Sequence, residues 1–102
     1  MRADGRPAQL ASAQIAAGKP VGAICAAPTV LADAGLLEGR RFTAHFSVHG
    51  ELSAKPADER VVEDGLLITS RGVGTALDFG LALVRHLFGE AKAREIAESI
   101  MA

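Results

Sequence analysis

A short apolar segment, Val21-Gly22-Ala23-Ile24-Cys25, constrains the fold of this chain more than any other part of the sequence. It shows no alternation of polar and apolar residues. An uninterrupted apolar run of this length is typical of a strand that is buried on both faces in a parallel sheet. Pro28 follows closely and favours the start of a helix. The sequence therefore predicts an α/β fold in which this strand runs directly into a helix.

Patterns on both sides of this strand predict the remaining elements. Alternation over Arg41–Phe46 places Phe42, Ala44 and Phe46 on one face of a strand and Thr43 and His45 on the other. Thr75 is a natural N-cap for an amphipathic helix. The other predicted elements are a helix over 8–17, a helix from Pro28 to about Leu37, a loop over 47–59, a hairpin of Arg60–Glu63 and Leu66–Thr69 that turns at Asp64-Gly65, and a last helix over 90–101.

The order of these elements also bears on how much of a domain the chain contains. The apolar strand needs a paired neighbour on each side and helices over both faces, and few candidate strands exist in 102 residues. We therefore expect the C-terminal portion of a larger doubly wound domain, without its N-terminal strands.

Composition limits the classes of function. Lys and Arg number 11 against 12 Asp and Glu, and the net charge of -1 argues against nucleic-acid binding. No run of about 18 apolar residues predicts a membrane span, and no apolar run follows the N-terminus as in a secretory signal. One cysteine and three dispersed histidines lack metal-ligand spacing, so no metal site is expected. We expect a cytoplasmic protein.

The segment around Cys25 carries the chemistry. A buried strand runs into a helix with the cysteine at the joint and the small Ala26 directly after it, which is the arrangement of a nucleophile elbow. The N–H groups and dipole of the following helix would favour the thiolate. The N–H of Ala26 would point to where an oxyanion forms. The alternative is that Cys25 is a small buried hydrophobic residue.

Residues 22–29 resemble the cysteine elbow of the ThiJ/PfpI family, and residues 60–79 are similar to the second hallmark of that family. The resemblance extends from about residue 8 to the end of the chain. It implies a flavodoxin-like, doubly wound, mostly parallel sheet with helices on both faces, and a homodimer. Residues 1–102 would form the C-terminal part of the family domain. The family's upstream half would supply a glutamate and a glycine amide, to which no residue here corresponds.

The resemblance also implies an activity. Family members act as glyoxalases or deglycases on small dicarbonyls and glycated substrates, with the elbow cysteine, here Cys25, as nucleophile and oxidation sensor. His45 stands where relatives often carry a histidine close to the cysteine, and it would stabilise the thiolate or move a proton. No cofactor is needed, because the thiolate and proton transfer suffice. Ala26 replaces the histidine that follows the cysteine in the peptidase branch, which disfavours peptidase activity.

Two alternatives to an enzyme stay open. The chain would be a non-enzymatic redox-sensing chaperone if Cys25 serves only as an oxidisable thiol. It would be an inactive, truncated family member if the upstream half is required. For His45 the alternative is a strand histidine whose ring is satisfied by the backbone. His49 is expected to be solvated, and His86 to be structural near a helix C-terminus.

Overall fold

Helices and strands alternate along most of the chain. A computed structural model describes residues 2–102. Short 3-10 helices cover Phe46–Glu51 and Val73–Thr75. The regular elements are α1 (Arg6–Ala16), β1 (Val21–Ile24), α2 (Pro28–Asp33), β2 (Val61–Asp64), β3 (Leu67–Ser70), α3 (Ala76–Phe88) and α4 (Glu90–Ser99).

The three strands form one sheet in the order β1-β3-β2. β3 is parallel to β1, with Ile24 opposite Ser70, and antiparallel to β2, with Asp64 opposite Leu67. Every residue of β3 is buried because this strand has a neighbour on each side. The predicted α/β fold is confirmed, and the described part of the sheet is mixed because the hairpin reverses the direction of β2.

Helices cover both faces of the sheet, as predicted. Gly22 of β1 faces α3, where the side chains of Phe79 and Leu83 occupy the space that a Cβ would need. Ala23, which points to the opposite face, belongs to a buried cluster with Leu31 of α2 and Leu67 of β3. α1 also covers this face, although it contributes no fully buried residue.

The predicted strand over Arg41–Phe46 is wrong. The segment forms no strand within the described residues, and its buried part includes Thr43 as well as Phe42. The N–H of Thr43 donates to the Thr69 hydroxyl (2.8 Å), and the carbonyl of Phe42 accepts from the N–H of Ala57 (2.7 Å). Because these partners are a side chain and a loop, no ladder forms. Phe46, expected on the same face as Phe42 and Ala44, is 78% exposed, whereas those two residues are buried.

Two predicted boundaries also shift. α2 ends at Asp33 instead of near Leu37, and the chain then turns through Gly35, which adopts a φ of 74°. The hairpin loop is Gly65-Leu66, one residue later than predicted, because Asp64 pairs with Leu67 in the ladder. Gly65 has a φ of 61°, which glycine adopts at little cost.

Among residues 2–102, none of the helices has the length and apolar character needed to span a membrane.

Candidate active site

Cys25 occupies the turn between β1 and α2, where the sequence predicts it. Its φ is 66°, and this left-handed conformation costs a non-glycine residue about 1 kcal/mol or more. Two backbone hydrogen bonds hold the turn: the N–H of Cys25 donates to the Ser70 carbonyl (3.0 Å), and its carbonyl accepts from the N–H of His45 (2.7 Å). Strain of this kind persists only where the surroundings enforce it, and it is concentrated at functional sites.

The residues after Cys25 leave one backbone donor available. The carbonyl of Ala26 accepts from the N–H (3.1 Å) and the hydroxyl (2.7 Å) of Thr29, which fixes the turn. None of the described residues accepts a hydrogen bond from the N–H of Ala26. This N–H is therefore unpaired within the described residues, and its role as an oxyanion donor stays a prediction.

The helix dipole predicted to act on the thiol is weaker than expected. α2 has six residues and begins at Pro28, three positions after Cys25. The effect of a helix dipole falls off within the first turn, and a helix this short aligns few peptide groups. The electrostatic environment of Cys25 therefore depends mainly on the side chains around it.

Those side chains line an open cleft of about 460 Å³ at the carboxyl ends of β1 and β3. Cys25 is partly exposed there, so it is not sealed in the core. The parallel strands end at the same edge of the sheet, which brings Arg71, directly after β3, opposite Cys25. None of the described residues that line this cleft carries a carboxylate, and both Arg60 and Arg71 line it. Cationic side chains favour a thiolate or an oxyanion.

His45 lines the same cleft, so the structure brings together the two predicted catalytic side chains. Nδ1 of His45 accepts from the N–H of Ser47 (3.1 Å) and lies 2.8 Å from its hydroxyl oxygen. In the neutral ring the proton is therefore on Nε2. No hydrogen bond among the described residues joins this ring to the thiol of Cys25.

The loop between β3 and α3 forms the opposite wall and is held by hydroxyl groups. The hydroxyl of Thr75 accepts from the N–H of Gly72 (3.1 Å) and donates to the carbonyl of Gly72 (3.0 Å). It also contacts the buried hydroxyl of Ser70. Thr75 is the N-cap residue of α3, as predicted, although its side chain does not cap that helix. This network was not predicted from the sequence, although the Gly-x-Gly-Thr pattern after a strand was a signal for it.

The two other histidines lie outside the lining of this cleft. His49 is exposed, and its Nε2 lies 3.2 Å from the carbonyl of Ala44. Nε2 of His86, on α3, lies 2.7 Å from Oε1 of Glu63 on β2, and Arg85 also contacts this carboxylate. Partial burial raises the pKa of Glu63, but the hydrogen bonds from Arg85 and His86 outweigh it and hold that pKa below its usual value. No cluster of metal-ligating side chains occurs within residues 2–102.

Fold and site together define an α/β protein with a strained, accessible cysteine at a strand-to-helix turn. Residues 1–86 match the DJ-1/PfpI family. The chain belongs to this family, which confirms the ThiJ/PfpI resemblance.

Known relatives agree with this assignment. Protein dj-1beta of Drosophila melanogaster is 41% identical over 95 residues, which cover 90% of this chain and 51% of that protein. The Caenorhabditis elegans protein named glutathione-independent glyoxalase DJR-1.2 is 36% identical over 95 residues, covering 90% of this chain and 50% of that protein. The crystal structure of Drosophila DJ-1beta superposes with a TM-score of 0.85 at 40% identity, covering 93% of this chain and 53% of that one. The chain thus spans about half the length of these relatives.

Proposed function

We propose that this chain carries the nucleophile of a cysteine-dependent hydrolase of the glyoxalase or deglycase type, acting on small dicarbonyls or their adducts. The observation that carries the proposal is the φ of 66° at the partly exposed Cys25, in a cleft without carboxylates. The name of the Caenorhabditis relative, a glyoxalase that works without glutathione, supports a protein thiol as the nucleophile.

The first step is addition of the thiolate to an aldehyde. The sulfur of Cys25 forms a bond to the aldehyde carbon, and the π electron pair moves onto the oxygen, which gives a hemithioacetal. The N–H of Ala26 donates to this oxygen as its charge develops. His45, whose proton is held on Nε2 by the contact of Nδ1 with Ser47, is a second donor toward the same charge.

The next steps need no external oxidant. The former aldehyde carbon loses its proton to water in the open cleft, the electron pair of that C–H bond forms a carbon–carbon double bond, and the oxygen of the adjacent carbonyl takes a proton, which gives an enediol. A proton then adds to the second carbon while the hydroxyl on the first carbon loses its proton and becomes the carbonyl of the thioester. The first carbon is thereby oxidised to a thioester, and the second is reduced to an alcohol. Water then attacks the thioester, the carbon–sulfur bond breaks, and the thiolate leaves with the electron pair. The sum is a 2-oxoaldehyde plus water giving a 2-hydroxy acid.

The test is lactate formation from methylglyoxal, followed by NMR, with the wild-type chain and Cys25→Ser. Serine preserves the size of the side chain, and circular dichroism checks that both proteins are folded. We expect lactate from the wild type and none above background from the variant. Equal rates in both proteins would contradict a role for Cys25 as nucleophile.

A second candidate function is redox sensing by the same thiol. The partial exposure of Cys25 and the cationic lining of its cleft favour it, since oxidation follows thiolate character and access. Mild peroxide would then add oxygen atoms at Cys25 in intact-mass spectra, without any dicarbonyl turnover. Protection of an unfolded client protein that depends on this oxidation would select the chaperone role.

We also propose that the protein acts as a cytoplasmic homodimer. Val73 and Leu77, four positions apart beside the cleft, are 91% and 52% exposed, and exposed apolar side chains of this kind favour association. Sedimentation equilibrium of the wild type and of Val73→Ser tests this assembly. A monomer at all accessible concentrations would contradict it.

A further inference from the structure

A second cleft adjoins the one that contains Cys25. It measures about 490 Å³, and both clefts are lined by His45 and Arg71. These two side chains therefore form the wall between the clefts. A molecule that extended from Cys25 into the second cleft would therefore pass Arg71. Two side chains of opposite charge, Lys55 and Asp58, also line the second cleft, and Phe46 and Pro56 add apolar surface.

The two arginines beside Cys25 differ in their bonding. Arg60 donates from Nε to Oδ2 of Asp78 and from a terminal nitrogen to the carbonyl of Gly74, both at 3.0 Å. The guanidinium of Arg60 therefore stabilises the loop between β3 and α3. Arg71 makes one ion pair among the described residues, at 3.4 Å to Asp58, a side chain that is fully exposed. Since a guanidinium carries five donor hydrogens, most of those of Arg71 are available.

The backbone fixes the position of Arg71 relative to Cys25. It follows Ser70, whose carbonyl accepts from the N–H of Cys25, so the two residues leave the edge of the sheet side by side. The arginine side chain is 40% exposed, which leaves it accessible to a ligand in either cleft. A planar guanidinium matches a carboxylate with two parallel hydrogen bonds, a geometry that lysine does not offer.

We propose that Arg71 anchors the substrate and selects 2-oxoaldehydes that carry a carboxylate, an inference that rests on the proposed function. The aldehyde lies at Cys25, the carboxylate pairs with Arg71, and the intervening carbons extend toward the second cleft. Asp58 is displaced from Arg71 at little cost because exposed ion pairs contribute about 0–1 kcal/mol.

The first experiment does not require turnover. Iodoacetate and iodoacetamide alkylate a thiol by the same displacement and differ in a carboxylate. We measure the ratio of their second-order rates at Cys25 in the wild type, in Arg71→Gln and in Arg94→Gln. Arg94 is an exposed residue of α4 and provides the matched loss of charge. We expect the iodoacetate/iodoacetamide ratio to fall about three- to five-fold in Arg71→Gln, the scale of an exposed charge pair, and to stay unchanged in Arg94→Gln. An unchanged ratio in Arg71→Gln would overturn the inference.

The second experiment measures selectivity in turnover. The substrates are 4,5-dioxopentanoate, which carries a carboxylate, and 2-oxopentanal, a neutral 2-oxoaldehyde with the same carbon skeleton. Loss of the cation beside Cys25 should slow the turnover of both substrates by a common factor. We expect Arg71→Gln in addition to raise KM for the anionic substrate about tenfold relative to the neutral substrate, the effect of losing a charge-assisted hydrogen bond. Lysine keeps the positive charge of Arg71 but cannot form two parallel hydrogen bonds. The KM of Arg71→Lys for the anionic substrate should therefore lie between those of the wild type and Arg71→Gln. Equal losses on both substrates would contradict selection by Arg71. No turnover of either substrate by the wild type would count against the proposed function, and the alkylation ratio would then decide on Arg71.

Discussion

The N–H of His45 donates a 2.7 Å hydrogen bond to the carbonyl of Cys25, while the ring of His45 accepts from the N–H of Ser47. The backbone of His45 therefore supports the strained turn, and its side chain is oriented from the other direction. His45 is also the N-cap residue of the 3-10 helix Phe46–Glu51, so its ring has a structural contact in addition to its place beside the thiol.

Two substitutions at His45 separate these roles. In His45→Asn the amide oxygen can accept from Ser47 and preserve the cap, whereas His45→Ala loses it. We expect both to reduce the rate of dicarbonyl turnover about 10²-fold, because both remove the Nε2 donor. His45→Ala should also lose about 1 kcal/mol of unfolding free energy, and His45→Asn much less. Steady-state kinetics and urea denaturation measure the two effects. Full activity in the folded Asn variant would show that the ring takes no part in the reaction.

The strain at Cys25 predicts a gain in stability on replacement by glycine. Glycine adopts a φ of 66° without the steric cost that a side chain incurs, although it gains entropy in the unfolded chain. We expect Cys25→Gly to be more stable than Cys25→Ser by about 0.5–1 kcal/mol, and both to lack thiol chemistry. Serine keeps the strained conformation and serves as the matched control in urea denaturation. A less stable glycine variant would contradict the assignment of strain to this turn.

The elbow could be predicted from sequence because its signals are local. An apolar run ending at Cys25 and a proline at position 28 specify a strand, a turn and a helix without reference to the rest of the chain. The predicted burial of this strand on both faces is wrong for the described sheet, in which β1 is an edge strand and only Ala23 is buried. The hairpin was predictable for the same reason, although the choice between Asp64 and Gly65 as the first loop residue depended on pairing with Leu67.

The segment around Thr43 was not predictable, because burial of a polar residue depends on distant partners. Its alternation with Phe42 and Ala44 suggested a strand with one polar face. Thr43 is buried instead, since its N–H reaches the hydroxyl of Thr69 and its own hydroxyl reaches the carbonyl of Ala57. The position of Arg71 beside Cys25 was also not predictable from the sequence, because it depends on the parallel register of β1 with β3.

Gly22 predicts a packing constraint under the elbow. A Cβ at this position would lie 2.9 Å from Cζ of Phe79 and 3.1 Å from Cδ2 of Leu83, closer than carbon atoms normally approach. We expect Gly22→Ala to lower the free energy of unfolding by about 1–2 kcal/mol, because the side chains of Phe79 and Leu83 must move out of the way. Equilibrium urea denaturation measures the loss.

Gly80, which lies in α3, provides the control for this substitution. A Cβ on Gly80 would meet nothing within 4 Å, and alanine there favours the helix by up to about 1 kcal/mol. We therefore expect Gly80→Ala to be neutral or stabilising. The combination of Gly22→Ala with Phe79→Leu should recover part of the lost stability by removing the ring that causes the clash. Loss of stability in Gly80→Ala and none in Gly22→Ala would contradict the packing described.

The lowered pKa of Glu63 predicts how the free energy of unfolding depends on pH. Burial raises its pKa, but hydrogen bonds from Arg85 and His86 prevail and lower it in the folded state. A lowered folded pKa means that the unfolded chain binds the proton more readily. The contribution of Glu63 to stability is therefore complete above its ordinary pKa of 4.5 and is lost as the pH falls through the lower, folded value.

Replacing this carboxylate should remove that part of the acid dependence. We expect Glu63→Gln to be less stable than the wild type at neutral pH, because Arg85 and His86 lose their charged partner, and the difference should shrink in acid. The measurement is the midpoint of urea denaturation at a series of pH values from neutral to below 4.5. Glu95→Gln provides the matched control, since Glu95 is an exposed residue of α4 that pairs with Lys92 within its own helix at 3.3 Å. If the curves of wild type and Glu63→Gln stay parallel throughout this range, Glu63 does not link β2 to α3 through its charge.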